Sequence, residues 1–379
     1  MTSRSATPSQ PLLQPVRLGA LHLPNRVLMA PMTRSRAQNA GLVPTDLMQA
    51  YYAQRASAGL IVSEGTWVND QAIGFINVPG IYSEAQTRGW ATVTEAVHTA
   101  GGRIISQLGH VGAGSHPDHF GGRLPAGPSA INPGERSFTP SGMKDTVTPR
   151  AFTGSEIAQT IADYRTAAAN ARQAGFDGLE VHAQGSQLIA QFLNPRLNQR
   201  TDAYGGDAER RAQFLFDILD AVTEVWDAGR VSVKISPYWT SGSAFVADEE
   251  DLADYDQVIK RLGGNSLAFL HLMGPVTQDI TDQDRIRPFA RYRAQYDGPI
   301  VANVGFNRSS GNAIIEQGVA SAVSFGAPFI ANPDLVDRFA GGHRLADGDR
   351  ASFYAGGADG YIDYPAISEG NRQSKGSPA

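Results

Sequence analysis

The chain of 379 residues contains no cysteine, and this absence excludes several kinds of chemistry. Disulfide bonds, iron–sulfur clusters, thiolate zinc sites and cysteine nucleophiles all need a thiol. Long apolar runs are also absent, because no stretch approaches the roughly 18 apolar residues of a membrane-spanning helix. The polar segment Met1–Gln10 lacks the apolar core of a secretory signal. We therefore expect a cytoplasmic protein with no membrane partner.

A block of like charges is missing as well. Lysine and arginine total 32, aspartate and glutamate total 37, and the net charge is −5. Proteins that bind phosphate backbones usually carry a basic excess or a basic cluster, so nucleic acid is not an expected partner. With 41% hydrophobic and 18% charged residues, the composition is that of a folded globular protein with a large core.

The chain does contain a repeat of strand-like and helix-like segments. Eight short apolar runs are each followed by a stretch with helical periodicity, which predicts eight βα units. The predicted strands are Arg26–Met29, Leu60–Ser63, Ile104–Leu108, Gly178–His182, Val231–Ser236, Phe269–Met273, Ile300–Asn303 and Ala320–Phe325. The predicted helices are Asp46–Ala58, Ala85–Ala100, Ser155–Ala174, Glu209–Trp226, Leu252–Leu262, Ile286–Tyr296, Ser309–Gln317 and Leu335–Ala340.

Eight βα units close a parallel barrel with its helices outside, so we predict an α/β fold, the TIM (β/α)8 barrel. An open doubly wound sheet is the alternative, but it normally has a G-x-G-x-x-G turn after its first strand, and Pro31–Arg34 contains none. The Gly- and Pro-rich segment 109–152, after the third strand, is predicted to cap the barrel mouth as a loop or small hairpin. We expect one barrel domain over residues 11–365, between a flexible N-terminus, residues 1–10, and a flexible tail, residues 366–379.

Position in the barrel selects candidate functional residues, since active sites lie at the C-terminal ends of the strands. Gln107 and Lys234 are polar residues inside predicted apolar strands, where burial demands polar partners. A flat heterocycle would supply such partners, and so would hydrogen bonds and salt bridges within the barrel. Gly305 and Gly326 follow the last two strands, where TIM barrels often bind phosphate. Three histidines of the capping segment lack carboxylates at a fixed spacing and do not predict a metal site: His110, His116 and His119.

Motifs spread over most of the chain point to one family. They are Pro24-Asn25-Arg26, Ala30-Pro31-Met32-Thr33-Arg34, Tyr51-Tyr52-Ala53-Gln54-Arg55-Ala56, Pro79-Gly80-Ile81-Tyr82, Gly175-Phe176-Asp177-Gly178, Glu180-Val181-His182, Asn198-Gln199-Arg200-Thr201-Asp202, Tyr204-Gly205-Gly206 and Ile330-Ala331-Asn332-Pro333-Asp334-Leu335. From about Pro11 to Pro365 the sequence resembles the old yellow enzymes, which are FMN-containing ene-reductases built on a TIM barrel.

The resemblance implies roles for individual residues. Thr33 would face the O4/N5 edge of the flavin, Gln107 its pyrimidine ring, and Lys234 the N1–C2=O group, where a positive charge stabilises the reduced anionic flavin. His182 matches the histidine that hydrogen-bonds an enone carbonyl and so prepares the β-carbon for hydride. The full set of implied FMN-binding positions is Pro31, Met32, Thr33, Gly65, Gln107, Lys234, Gly305, Gly326 and Ala327.

Several positions depart from the family pattern. Three residues after its histidine the family has Asn or His, and this chain has Gly185; five residues after, it usually has a proton-donating Tyr, and this chain has Gln187. Gly109 stands where the family commonly has Trp, and Ala327 stands where it has the arginine that pairs with the FMN phosphate. Two tyrosines remain as candidate proton donors, Tyr238 and Tyr361, and each is also consistent with a hydrogen-bonded wall residue.

Two functions follow from this combination. The leading hypothesis is a flavoenzyme that binds FMN and reduces an activated C=C bond of a bulky small-molecule substrate with NAD(P)H. The alternative is a repurposed barrel, with weak or lost FMN binding, that catalyses a non-redox isomerisation, dehydration or cyclisation. A non-catalytic binding protein is a third hypothesis, and only the small number of candidate acid and base residues supports it. We expect a monomer or a homodimer.

Overall fold

The structure is a computed structural model that describes residues 10–276 and 280–367. The flexible ends expected for residues 1–10 and 366–379 lie outside the described residues, apart from residues 10, 366 and 367. Eight parallel strands pair in chain order, and the eighth pairs with the first, which closes a barrel. The strands are β1 (Val27–Met29), β2 (Leu60–Trp67), β3 (Ile104–Gly109), β4 (Leu179–Ala183), β5 (Val231–Ile235), β6 (Phe269–Met273), β7 (Ile300–Asn303) and β8 (Ala322–Phe325). The predicted barrel is confirmed.

A helix follows each strand of the barrel. These helices are α1 (Asp46–Ala53), α2 (Glu84–Thr99), α3 (Gly154–Gln173), α4 (Ala208–Thr223), α5 (Glu249–Leu262), α6 (Asp282–Arg293), α7 (Arg308–Glu316) and α8 (Leu335–Gly341). Capping residues explain where many of them begin. Ser83 and Gln86 form a reciprocal capping box at the start of α2, and Thr153 and Glu156 form another at the start of α3.

The barrel interior is an apolar plug below the site. Its inward-facing side chains are fully buried and form one cluster with an N-terminal hairpin that covers the bottom of the barrel. The hairpin strands are Val16–Leu18 and Leu21–Leu23, which pair in antiparallel register. This hairpin was not predicted from the sequence. The plug consists of Leu28, Leu60, Val62, Ile105, Phe269, Val301 and Ala322.

Two long connections shape the top of the barrel. Between β3 and α3, an antiparallel hairpin of Arg136–Thr139 and Gly142–Asp145 lies within the predicted capping segment. At the C-terminal side, the extension after α8 returns to the segment that follows β1. Arg34 binds this extension, donating Nε to the carbonyl of Phe353 at 3.0 Å and Nη2 to that of Gly360 at 3.0 Å.

Candidate active site

Two adjoining cavities open at the C-terminal ends of the strands. The inner cavity, of about 450 Å³, is lined by residues that follow β1, β7 and β8, together with Lys234 of β5. The outer cavity, of about 580 Å³, is lined by His182 of β4, by the connection after it, and by Glu135 and Arg136 of the capping segment. Gln184 lines both cavities. The two cavities therefore lie next to each other, with Gln184 as the lining residue that they share.

A buried polar cluster lies beneath the inner cavity. The carboxylate of Glu180 accepts a hydrogen bond from Nε2 of Gln107 at 2.8 Å and lies 2.6 Å from Nδ1 of His271. The other ring nitrogen of His271 lies 2.7 Å from the hydroxyl of Ser324. Burial by itself raises the pKa of Glu180, but His271, Lys234 and Gln107 outweigh it and hold that pKa below its usual value. Glu180 is thus a buried carboxylate stabilised by its neighbours.

This cluster fixes the orientation of Gln107. The amide Nε2 of Gln107 donates to Glu180, and its Oε1 accepts no hydrogen bond from a side chain or backbone group of the described residues, so it can accept one from a ligand. That oxygen lies beside Gly65, where a Cβ would be 3.4 Å from it. Gln107 and Gly65 were candidates from the sequence, whereas Glu180, His271 and Ser324 were not. The sequence feature that could have identified these three residues is the presence of polar residues at alternate positions within predicted apolar strands.

Lys234 supplies the positive charge of the inner cavity. It is 3% exposed, and it pairs in register with His182 of the neighbouring strand. Burial lowers the pKa of Lys234 to about 8, and the carboxylate of Glu180 opposes this shift. The ammonium is therefore mostly charged at neutral pH and close to its titration range.

His182 and Gln187 both line the outer cavity. Burial, followed by the charge of Lys234, lowers the pKa of His182, so its imidazole is neutral at pH 7. Its Nδ1 has no hydrogen-bond partner among the described residues, and neither has Oε1 of Gln187. Both atoms are close to Gly109, where a Cβ would lie 3.4 Å from the first and 3.5 Å from the second.

Two tryptophans stand beside the glycines that depart from the family pattern. The ring of Trp67 lies 3.8 Å from the position that a Cβ of Gly109 would take, and the ring of Trp239 lies 3.7 Å from that of Gly185. The indole N–H groups of both are buried without a partner among the described residues. Neither tryptophan was a candidate from the sequence, because sequence does not show which loop side chains pack over a glycine.

The far end of the inner cavity consists of the turns after β7 and β8. Val304 and Gly305 have φ values of 81° and 76°, a conformation that is strained for a β-branched residue such as valine. Gly326 lies against Met32, whose Sδ would be 3.4 Å from an added Cβ. Ala327 begins the short helix Ala327–Ala331. These turns, with Pro31, line one end of the cavity.

Other predicted residues lie outside the two cavities. Thr33 is half-buried after β1 and is not among the residues that line them. The hydroxyl of Tyr238 donates to the carbonyl of Pro288 at 3.3 Å, away from both cavities. Tyr361 is fully buried against Tyr51. We therefore do not retain Tyr238 or Tyr361 as proton donors.

The histidines of the capping segment do not form a metal cluster. His116 pairs with Asp118 at 3.2 Å, whereas burial lowers the pKa of His110 to about 3. Residues 10–276 and 280–367 contain no group of three or more His, Asp or Glu side chains placed to hold a metal ion. Over the same residues, no helix is long and apolar enough to cross a membrane.

Comparisons with known proteins agree with this architecture. Residues 11–345 match the model of the NADH:flavin oxidoreductase / NADH oxidase family. The chain belongs to this family. It is 36% identical over 378 residues to 12-oxophytodienoate reductase 1 of Oryza sativa subsp. japonica, covering 98% of this chain and 97% of the relative. A probable flavin mononucleotide-dependent alkene reductase of Leishmania infantum is 37% identical over 361 residues, covering 93% and 97%.

Solved structures give the same result. A structure of morphinone reductase superposes with a TM-score of 0.89 at 41% identity, covering 96% of this chain and 98% of that one. The old yellow enzyme homologue of Zymomonas mobilis superposes with a TM-score of 0.86 at 36% identity, covering 93% and 99%. The resemblance to the old yellow enzymes is confirmed, and the chain is an FMN-dependent oxidoreductase of the ene-reductase type.

The residues present fit an FMN group in the inner cavity. Lys234 lines this cavity and suits an anionic ring. Gln107 belongs to the polar cluster beneath it and is not among the lining residues, and its Oε1 suits the N–H of a pyrimidine. The glycine turns at Gly305 and Gly326 leave backbone N–H groups at the cavity end for a phosphate. The donor set therefore matches the heterocycle and the phosphate of one molecule.

Proposed function

We propose that this protein reduces an activated C=C bond of a bulky carbonyl compound, with FMN in the inner cavity, substrate in the outer cavity, and NADH or NADPH as the reductant. The observation that carries the proposal is that the two cavities adjoin at Gln184, with Lys234 and His182 paired on neighbouring strands, one at each cavity. A cofactor and a substrate placed there would be in contact.

The inner cavity would hold FMN through a small set of contacts. Gln107 would accept from the pyrimidine, Lys234 would place its ammonium beside the N1–C2=O group, and the turns at Gly305 and Gly326 would bind the phosphate. When bound, FMN supplies a hydride to the β-carbon of the substrate and is itself reduced by the nicotinamide. Lys234 stabilises the negative charge that reduction places on the ring.

His182 would polarise the substrate. A neutral imidazole keeps one N–H to donate, and the lowered pKa of His182 means that it does so across the neutral pH range. A hydrogen bond to the carbonyl oxygen stabilises the enolate-like charge that develops as the β-carbon accepts hydride. The described residues that line the outer cavity include no tyrosine, so water is the proposed source of the proton for the α-carbon.

The missing side chains favour a large substrate. Gly185 lines the outer cavity without the Asn or His side chain of the family, and this cavity reaches about 580 Å³. Gly109 lacks the Trp of the family, but it lies next to Trp67 and is not among the residues that line the cavity. A large substrate can be held by contacts with the cavity walls, whereas a small enone depends on the donors that this chain lacks. The non-redox alternative raised by Ala327 and Gln187 is not favoured, because the relatives are reductases.

The test is reduction of enones of graded size by purified, FMN-saturated protein. We expect NAD(P)H-dependent reduction, faster with polycyclic than with monocyclic enones, and a loss of about 10²–10³ in rate for His182→Ala. The matched control is His98→Ala, because His98 is a surface histidine paired with Asp177 at 3.0 Å, far from both cavities. Failure to retain flavin after FMN addition and removal of the unbound flavin, or unchanged rates in His182→Ala, would contradict the proposal.

A further inference from the structure

Arg285 of α6 lies against the turn that follows β7. At Gly305, an added Cβ would overlap Nη1 of Arg285 and would lie only 2.8 Å from its Cζ and 3.6 Å from its Nε. The guanidinium therefore occupies the space that any side chain at position 305 would need. Gly305 also has a φ of 76°, a conformation that favours glycine, so the close approach of Arg285 uses a position without a side chain.

Arg285 differs from the other arginines of its helix. Arg287 pairs with Asp284 at 2.6 Å, Arg291 pairs with Asp256 at 2.8 Å, and Arg293 donates to the carbonyl of Gly298 at 2.9 Å. Nη1 of Arg285 is buried and has no hydrogen-bond partner among the described residues. Arg285 as a whole is half-buried, but a buried N–H without a partner is costly, and a ligand of opposite charge would satisfy it.

The neighbourhood indicates which ligand this is. Gly305 lines the phosphate end of the inner cavity, and Lys234 is the one charged residue among the described residues that line that cavity. Lys234 belongs to β5 and serves the ring, so a phosphate dianion at the other end has only backbone donors. Arg308, the next arginine after this turn, donates Nε to Gln10 at 3.3 Å and is held there.

We propose that Arg285 supplies the cation for the phosphate of FMN and thereby replaces the arginine that Ala327 lacks. This inference rests on the proposed function, since it assumes FMN in the inner cavity. The charge would reach the phosphate from α6, on the side of Gly305, whereas a side chain at position 327 would reach it from the turn after β8. FMN binding is then retained in this chain despite the loss at position 327.

The proposal separates FMN from riboflavin, which has the same ring and no phosphate. Flavin fluorescence quenching on apoprotein would give both dissociation constants. Arg285→Gln should weaken FMN binding about ten- to a hundredfold, the usual contribution of a charge-assisted contact, and should change riboflavin binding less than twofold. Arg285→Lys should recover part of the loss. Arg287→Gln, on the same helix, is the matched control and should change neither constant.

A second experiment uses position 327, where the family has an arginine and this chain has Ala327. If Arg285 provides the phosphate cation, Ala327→Arg should restore FMN affinity in the Arg285→Gln background by about tenfold or more. Unchanged FMN affinity in Arg285→Gln, or equal weakening of FMN and riboflavin, would overturn the inference and leave the proposed function standing. A wild-type protein that binds neither flavin would overturn both.

Discussion

Lys234 is buried and also lines the inner cavity. Burial lowers its pKa to about 8, and Glu180, held in place by His271 and Gln107, keeps it from falling further. The cation is present below pH 8 and is lost as the pH rises through that value. Its value to a bound flavin should therefore depend on pH, unlike that of an arginine, which stays charged.

We predict that Lys234→Met lowers the midpoint potential of bound FMN at pH 7 by about 30–65 mV. This range corresponds to the roughly 1.5–3 kcal/mol of a charge-assisted contact in a two-electron couple. The sign follows because losing the cation disfavours the reduced, anionic ring. Lys234→Arg is the control and should keep the potential near that of the wild type at pH 7. As the pH rises through 8, its potential should become higher than that of the wild type, because Lys234 loses its charge there and arginine does not. Spectroelectrochemical titration measures all three proteins, and equal potentials in wild type and Lys234→Met would contradict the assignment.

At the scale of elements, the connection after β4 determines what the outer cavity can do. Gly185 has a φ of 61°, and its N–H donates to the hydroxyl of Ser236 at 2.7 Å. Gln187 follows as the N-cap of the short helix Leu188–Leu193 and lines the cavity. This connection is thus held in a fixed shape that presents positions 185 and 187 beside His182.

We predict that the double variant Gly185→Asn, Gln187→Tyr raises the rate with a small cyclic enone by at least about tenfold. The added amide would be a second donor to the carbonyl, the added phenol an acid for the α-carbon, and each such group typically contributes about 10²–10⁴ in rate. The expected gain is smaller because Asn must accept the positive φ of position 185, which it tolerates better than most residues. Single-turnover assays of FMN-saturated protein measure the gain. If His182→Ala leaves the gain intact, these positions do not act with His182.

The elements were largely predictable from sequence, and the reasons for the exceptions are physical. β6 and β7 have the predicted bounds, because buried parallel strands are continuous apolar runs. α5 begins at Glu249 and not at Leu252, since its first turn after the Asp248 N-cap is acidic and exposed, with no apolar periodicity to reveal it. The N-terminal hairpin escaped prediction because its strands have only three residues each.

The candidate site was predictable in part. Strand position brought Gln107, Lys234 and His182 together, because parallel strands of a closed barrel all end at the same mouth. Tyr238 also follows a strand, but its side chain turns toward α6 and away from the cavities. The direction that a side chain takes after a strand end depends on loop packing between residues distant in sequence. The ring of Trp239, which lies beside Gly185, is an example. The approach of Arg285 to Gly305 likewise depends on packing between distant residues.

At the scale of the whole molecule, the C-terminal extension is packed against the start of the barrel. The ring of Tyr361 stacks on that of Tyr51 with centroids 4.2 Å apart, and the guanidinium of Arg36 lies 4.6 Å from the Tyr361 ring. Arg36 also donates Nη2 to the carbonyl of Ser352 at 2.8 Å. These contacts join the extension to the segment after β1, which leads directly from the inner cavity. The extension therefore acts as a clamp on one wall of the site.

We predict that Tyr361→Ala lowers the free energy of unfolding by about 3–5 kcal/mol, the usual cost of removing a fully buried aromatic ring. Tyr361→Phe should be neutral or slightly stabilising, because the hydroxyl of Tyr361 is buried without a partner among the described residues and its removal relieves a desolvation cost. The control is Tyr354→Ala, since Tyr354 lies on the same extension but is 48% exposed and should change stability by less than about 1 kcal/mol. Denaturant unfolding of the apoproteins gives the three values. Equal losses for Tyr361→Ala and Tyr354→Ala would mean that the extension is not clamped through Tyr361, and a large loss for Tyr361→Phe would mean that its hydroxyl has a partner in solution.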